Sequence, residues 1–292
     1  MMNTESPCER LRIAVQGKGR LYDDSMELLK ETGVKIAPAK RTLLVEATNF
    51  PVEVLFLRDD DIPQTVESGV ADVGIVGENE LVERGADTAL IRRLGFSRCR
   101  LSLALPKEAS YTGPQWFDGK TVATSYPQIL RRWADSQGIR LQMHVIQGSV
   151  EVAPGIGLAD AIFDIVSSGS TLVSNNLVEV ETLMQSEALL IGHKGIAAEK
   201  QAVLDELLFR IDAVLAAEAK VYVLMNVPNA QVEAIVSVLP GIKSPTVMPL
   251  ATPGWSSVHT VIGEKQLWEI VGQLKQLGAE GILVLPIDKM IP

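Results

Sequence analysis

The richest chemistry in this chain lies in Asp164-Ile165-Val166-Ser167-Ser168-Gly169-Ser170-Thr171-Leu172. An apolar run delivers a carboxylate, and a short loop of hydroxyls around one glycine follows. Such a loop can aim backbone N–H groups and Ser/Thr hydroxyls at a phosphate. Asp164, and Asp160 before it, can accept hydrogen bonds from sugar hydroxyls, so the set suits a phosphorylated ribose. An ordinary Ser/Gly turn after a strand has the same composition. A second candidate is Gln16-Gly17-Lys18-Gly19-Arg20. Its glycines permit close backbone approach, and Lys18 and Arg20 supply two cations. The spacing fits neither a Walker A loop nor a dinucleotide fingerprint, and a flexible turn would look alike. The third is Arg58-Asp59-Asp60-Asp61-Ile62-Pro63. Arg58 can hold a phosphate. A neighbouring carboxylate could serve Mg²⁺, which commonly binds through one or two carboxylates plus substrate phosphates. For Asp60 and Asp61 a helix start, favoured by the helix dipole, is the simpler role.

Other chemistries are missing from the sequence. There is no nucleophile elbow, HExxH, CxxC pair or kinase signature. The two cysteines, Cys8 and Cys99, offer neither a disulfide framework nor a zinc cluster. The three histidines, His144, His193 and His259, are scattered. The net charge of -9 disfavours non-specific contact with nucleic acid or an anionic membrane. An anionic substrate must therefore meet local clusters of Arg, Lys and backbone N–H, or arrive with a metal. No signal-peptide pattern opens the chain and no run reaches membrane-span length, which reads as a cytoplasmic protein.

The elements that must position these residues follow from periodicity. Apolar runs at 11–15, 41–47, 52–57 and 72–77 read as strands. Asp23-Asp24-Ser25 reads as the N-cap of a helix that stops near Gly33, and a short helix ends at Gly69. Further strands fall at 101–105, 121–124, 141–146 and 161–166, with a helix over 127–136. Two more strands occupy 177–191, and a long helix spans 197–218. This βαβ rhythm predicts an α/β fold of two lobes with ligands at strand carboxyl ends. The last ~75 residues change rhythm. Strands at 221–225, 246–250, 257–262 and 281–285 and helices at 230–239 and 265–277 give βαββαβ, a ferredoxin-like unit.

Taken in order, the stretches LRIAVQGKGRL, LRDDDIP, DVGIVGENEL, RCRLSLALP, GKTVATSYP, GSVEVAPGIGLADAIFDIVSSGSTL, SPTVMPL and ILVLPIDKM resemble the ATP phosphoribosyltransferase family across nearly the whole chain. The C-terminal unit matches the long form, which needs no accessory subunit. The resemblance implies a two-lobe periplasmic-binding-protein-like catalytic body and a regulatory domain of ACT type. Residues 1–100 and 182–218 would form the first lobe, 101–181 the second, and 219–292 the regulatory domain. It further implies transfer of the 5-phosphoribosyl group of 5-phosphoribosyl 1-diphosphate (PRPP) to N1 of ATP, with Mg²⁺ held mainly through substrate phosphates. Ser167, Ser168, Gly169, Ser170 and Thr171 would hold the 5-phosphate, and Asp160 and Asp164 the ribose hydroxyls. Glu151 and Tyr126 would line the same lobe. Lys18, Gly19 and Arg20 would meet nucleotide or diphosphate, and Arg41 and Arg58 the diphosphate and the transition-state charge. Asp72, Glu78 and Asn79 would sit at cleft-facing strand ends, while Arg98 and Arg100 would pack the lobes. Histidine would inhibit at Asn226, Ile242, Thr246, Val261 and Gly281, between subunits of a dimer-based hexamer. Two other readings are a solute-binding or effector-sensing protein on the same fold, and an inactive regulatory subunit. The first lacks an export signal or a helix-turn-helix, and the second would need the cationic and phosphate-binding residues to be lost.

Overall fold

The computed structural model describes residues 10–37, 42–239 and 244–291. Cys8, Arg41 and Ile242 lie outside the described residues. The chain divides into two compact units, one up to Asp205 and one from Glu206.

The first unit opens with β1 (Leu11–Gln16), α1 (Arg20–Glu31), β2 (Leu44–Glu46), β3 (Val52–Leu57), α2 (Ile62–Glu67), β4 (Val73–Gly77), α3 (Glu78–Arg84) and β5 (Ala89–Arg93). It continues through β6 (Cys99–Pro106), β7 (Thr121–Thr124), α4 (Pro127–Gln137), β8 (Gln142–Val145), β9 (Ala161–Val166), α5 (Ser170–Ser174), β10 (Leu177–Ser186), β11 (Ala188–Gly192) and the start of α6 (Ala198–Ala217). Two sheets result, ordered β2-β3-β1-β4-β11-β5 and β10-β6-β9-β7-β8. The expected two-lobed α/β fold is thus present. The chain leaves the first sheet after β5 and returns to it at β11, so segment 94–98 and Glu187 are the crossovers between lobes.

Strands β1 and β4 run parallel to each other, as do β7 and β9. Their near-continuous apolar runs fit strands buried on both faces. Phe117 anchors the second lobe, fully buried against Trp116 and Trp133 with edge-on rings at 5.1 and 5.7 Å. Each such buried ring contributes about 1.5–3 kcal/mol.

Helix α1 corrects one expectation. It starts at Arg20, directly after Gly19, rather than behind a cap at Asp23-Asp24-Ser25. Gly19 has φ +95°, a conformation open to glycine that turns the loop straight into the helix. Ser25 is buried inside the helix, its hydroxyl donating to the Leu21 carbonyl.

The lobes are gripped together by α3 and α4. The Glu83 carboxylate of α3, only 7% exposed, accepts N–H bonds from Gln128 (2.9 and 3.1 Å) and Ile129 (3.0 Å) in the first turn of α4. Arg132 of α4 donates to the Val82 carbonyl at 2.9 Å. A carboxylate on these orphan donors satisfies both the hydrogen bonds and the helix dipole.

The second unit contains the rest of α6, then β12 (Lys220–Pro228), α7 (Val232–Val238), β13 (Thr246–Pro249), β14 (Trp255–Gly263), α8 (Glu264–Gln276) and β15 (Glu280–Pro286). The order β13-β14-β12-β15, antiparallel throughout, is the expected ferredoxin-like arrangement. Alternation sends Val221, Val223, Met225, Val227, Val258 and Ile262 against Ile235, Leu267 and Leu274 of the helices. Among the described residues no helix is long and apolar enough to cross a membrane.

Replacing Glu83 by Ala strands three α4 donor contacts. It should cost about 2 kcal/mol, near the upper range for a lost helix cap, and lower the thermal midpoint. Glu83→Gln, which keeps one acceptor oxygen, should lower it less in the same melting experiment.

Candidate active site

Strand β9 ends at Val166, and the loop 167–169 turns into α5. Gly169 makes that turn at φ +81°, where a Cβ would be strained. The Ser168 and Ser170 hydroxyls lie 3.0 Å apart. A recess of about 270 Å³ is lined by Glu151, Asp164, Ser167, Ser168, Gly169 and Thr171 over an apolar floor of Ile162, Val166 and Leu172. The structure therefore brings these six residues together, and Ser170 opens α5 beside them. Burial pushes the Asp164 carboxyl up to about 6, aided by the Glu151 carboxylate and opposed by the Ile165 N–H.

Asp160 is not in this recess. It precedes β9, where its carboxylate accepts the Thr121 N–H at 2.8 Å, with Lys120 3.9 Å away. A six-residue strand places it roughly 20 Å from the Ser167 loop. Asp72 is misplaced in the same way. It precedes β4 at the amino end of the sheet, 9% exposed, accepting from the Arg12 N–H (2.7 Å) and paired with Lys200 (2.9 Å). In a parallel sheet the residue before a strand and the residue after it lie on opposite edges, so neither aspartate shares an edge with the loops.

The first lobe opens a cleft of about 970 Å³ at the carboxyl ends of β1 and β3. Tyr22, Met26, Ile36, Phe56 and Leu57 give it an apolar wall, and Lys18, Arg58 and Asp59 a charged rim. The Tyr22 and Phe56 rings are 5.9 Å apart. Arg58 is largely exposed, with Nε 3.2 Å from Asp60. Arg20, in the first turn of α1, reaches the other lobe, donating to the Ser167 hydroxyl and the Arg98 carbonyl, both at 2.9 Å. Arg100 pairs with Glu179 and donates to the Ser167 carbonyl at 3.2 Å. The Gln16-Gly17-Lys18-Gly19-Arg20 segment thus serves one cleft with Lys18 and the hydroxyl loop with Arg20.

Directly after β4 comes α3, which the strand reading of this segment missed. Glu78 is not free for a substrate, because both its oxygens pair with Arg93, at 2.6 and 2.8 Å. Asn79 is buried, its amide held by Ser186 and the Tyr126 hydroxyl. Glu80 is a titratable residue that sequence reading passed over. Burial pushes its carboxyl up to about 7. Asp59 and Asp60 push the same way, while the Tyr126 hydroxyl and Arg84 oppose. The available signal was helical spacing, since Glu80 and Glu83 lie on the inward face of one turn. Burial, with the Glu80 and Asp164 carboxylates nearby, also pushes the Tyr126 phenol upward.

In the C-terminal sheet, pairing places Asn226 opposite Ser257, Thr246 opposite His259 and Val261 opposite Tyr222. Paired residues share a face, so Asn226, Thr246 and Val261 lie on the face opposite the helices. A Cβ on Gly281 (φ +55°) would come within 3.3 Å of the Asn226 amide nitrogen. His259 stands among them, its ring nitrogens 2.7 Å from the Tyr222 hydroxyl and 2.8 Å from that of Ser257.

Comparison with known proteins follows this geometry. The family model for ATP phosphoribosyltransferase matches residues 58–213, and that for the HisG C-terminal domain residues 217–289. The ATP phosphoribosyltransferase of Bacteroides fragilis is 68% identical over 96% of this chain and 99% of its own. That of Phocaeicola vulgatus is 67% identical over the same shares. A chain of the ATP phosphoribosyl transferase (HisG:HisZ) complex from Thermotoga maritima superposes with a TM-score of 0.60 at 29% identity, covering 69% of this chain and 98% of that one. Fold and site together define a two-lobed α/β transferase with an appended βαββαβ unit. The chain belongs to the ATP phosphoribosyltransferase family, in its long form.

Two raised carboxyl values fix a pH dependence. Glu80 and Asp164 bind protons more tightly folded than unfolded, where they stand near 4.5 and 3.8. Their contribution to stability is full below the unfolded values and lost as pH rises through about 6 and 7. The melting midpoint should therefore fall between pH 5 and 7.5, and Glu80→Gln should shrink that fall.

Proposed function

We propose that the chain carries out its family's reaction between its two lobes, the first step of histidine biosynthesis. PRPP occupies the Ser167–Thr171 loop, where hydroxyls and the N–H groups opening α5 receive the 5-phosphate. Asp164 and Glu151 face the ribose hydroxyls, and Tyr126 closes the inner wall. The apolar wall of the larger cleft suits a purine, with Lys18 and Arg58 at its rim for the triphosphate and the departing diphosphate. Arg41 would act with Arg58. The observation that carries this reading is the Arg20–Ser167 hydrogen bond, which ties a first-lobe cation to the anion loop of the second.

Adenine N1 attacks the anomeric carbon as the bond to the diphosphate oxygen breaks, inverting that centre. The N1 lone pair is already free, so no side-chain nucleophile is required. The work left to the protein is orientation and stabilisation of the leaving charge. Among the described residues no three His, Cys, Asp or Glu side chains gather to hold an ion. One or two carboxylates plus diphosphate oxygens suffice for Mg²⁺. Held on the PRPP diphosphate, Mg²⁺ would supply positive charge that the acidic chain lacks. The protein is cytoplasmic and assembles as dimers and hexamers. Histidine is bound at the face carrying Asn226, Thr246 and Val261, next to Gly281.

Thr171→Ala and Arg58→Ala should each lower kcat by about 10²-fold, the scale of losing one transition-state donor. The assay is diphosphate release requiring both ATP and PRPP, and unchanged rates would remove these residues from the site. Thr246→Ala should raise the histidine concentration for half-inhibition about tenfold, as expected for one lost hydrogen bond, with uninhibited turnover preserved.

A further inference from the structure

Asn79 occupies an unusual junction. It is 5% exposed and every polar atom of its side chain is engaged. Ser186, the last residue before the Glu187 crossover, donates its hydroxyl to Asn79 Oδ1 at 2.9 Å. The same hydroxyl accepts the Asn79 backbone N–H at 3.1 Å. Asn79 Nδ2 in turn donates to the Tyr126 hydroxyl at 3.1 Å. One buried amide therefore joins a lobe crossover to the residue that precedes α4 in the second lobe. Tyr126 is itself 5% exposed and its backbone is pinned by Thr124 (2.8 Å). The amide sets where its hydroxyl stands relative to Asp164.

Gly77 supplies a second, independent observation. Its backbone angles, φ -67° and ψ 138°, are open to any L-residue. The backbone thus gives no reason for glycine. A Cβ there would fall 2.3 Å from Asn79 Oδ1 and 3.3 Å from its Cγ. The space a methyl would fill is the space into which the Asn79 amide folds back.

We infer that Asn79 is a positioning residue rather than a substrate ligand. Its amide fixes the Tyr126 hydroxyl against the crossover at Ser186, and Gly77 is glycine to leave that amide its seat. The inference rests on the reading that Tyr126 lines the phosphoribosyl site, and it adds two residues that act only through the tyrosine.

The test is a mutant cycle on the full-length enzyme, reading kcat and the KM for PRPP. Asn79→Ala, Gly77→Ala and Tyr126→Phe should each lower kcat about tenfold, the scale of one lost hydrogen bond between side chains. The Asn79→Ala/Tyr126→Phe double variant should lose little more than Tyr126→Phe alone, not a hundredfold, because Tyr126→Phe already removes the Asn79–Tyr126 link along with the hydroxyl's contact to Glu80. Gly77→Ala placed on Asn79→Ala should add no further loss, since the clashing atom is gone. A merely structural weakening would multiply through these pairs. Full activity of Asn79→Ala or Gly77→Ala, or multiplicative losses in either pair, would overturn the inference while leaving the role of Tyr126 intact. Full activity of Tyr126→Phe would overturn both. Should Asn79→Ala fail to fold, Gly77→Ala alone and with Tyr126→Phe decides the question.

Discussion

Repulsion between like charges is the constraint that shapes this molecule. The chain has a net charge of -9, yet its family joins two polyphosphorylated substrates. Attraction must come from short-range donors in fixed directions, since the long-range field of the protein is unfavourable. The parallel strands provide this. Loops after β1, β3 and β9 leave the carboxyl edges of their sheets and expose backbone N–H groups and hydroxyls beside only a few cations. Arg20 and Arg58 are well placed because they follow the carboxyl ends of β1 and β3, Arg20 opening α1 and Arg58 coming directly after Leu57, not because they are numerous.

The same constraint explains how the acidic side chains are used. Glu78, Glu83 and Glu179 are each neutralised by a guanidinium or by helix N–H donors. Asp72 and Asp160 are spent at the far edges of their sheets, on strand starts and lysines. Helix α3 concentrates the remaining work. Glu83 grips α4, Asn79 holds Tyr126, and Glu80 sits beside them. A seven-residue helix thus sets the geometry between lobes with a run of carboxylate and amide groups that a composition count would treat as surface.

Much of this was legible in the sequence. The apolar runs at 11–15, 121–124 and 161–166 mark buried strands, whereas the hydroxyl loop after Val166 has the composition of an ordinary Ser/Gly turn as much as that of an anion site. The βαββαβ order of the C-terminal unit followed from period alone. Helix α3 was hidden because Glu78-Asn79 continues directly from a strand with only Gly77 between them. The start of α1 was displaced because Asp23-Asp24-Ser25 has the composition of a cap, while the decisive feature was the positive φ of Gly19. Asp72 and Asp160 were misassigned because carboxylates near a strand look equivalent until strand direction decides which edge they occupy. Glu80 went unnoticed since burial, not residue type, gives it its character.

Glu80 has one more consequence. Burial and the neighbouring Asp59 and Asp60 push the Glu80 carboxyl upward, so this residue favours its neutral form more than the formal charge count assumes. A polyphosphate arriving nearby makes the ionised form costlier still and draws a proton from the solvent. Substrate capture and proton uptake would then be linked, each strengthening the other by the same factor. The enzyme would absorb part of the electrostatic cost of its own acidity from the surrounding buffer.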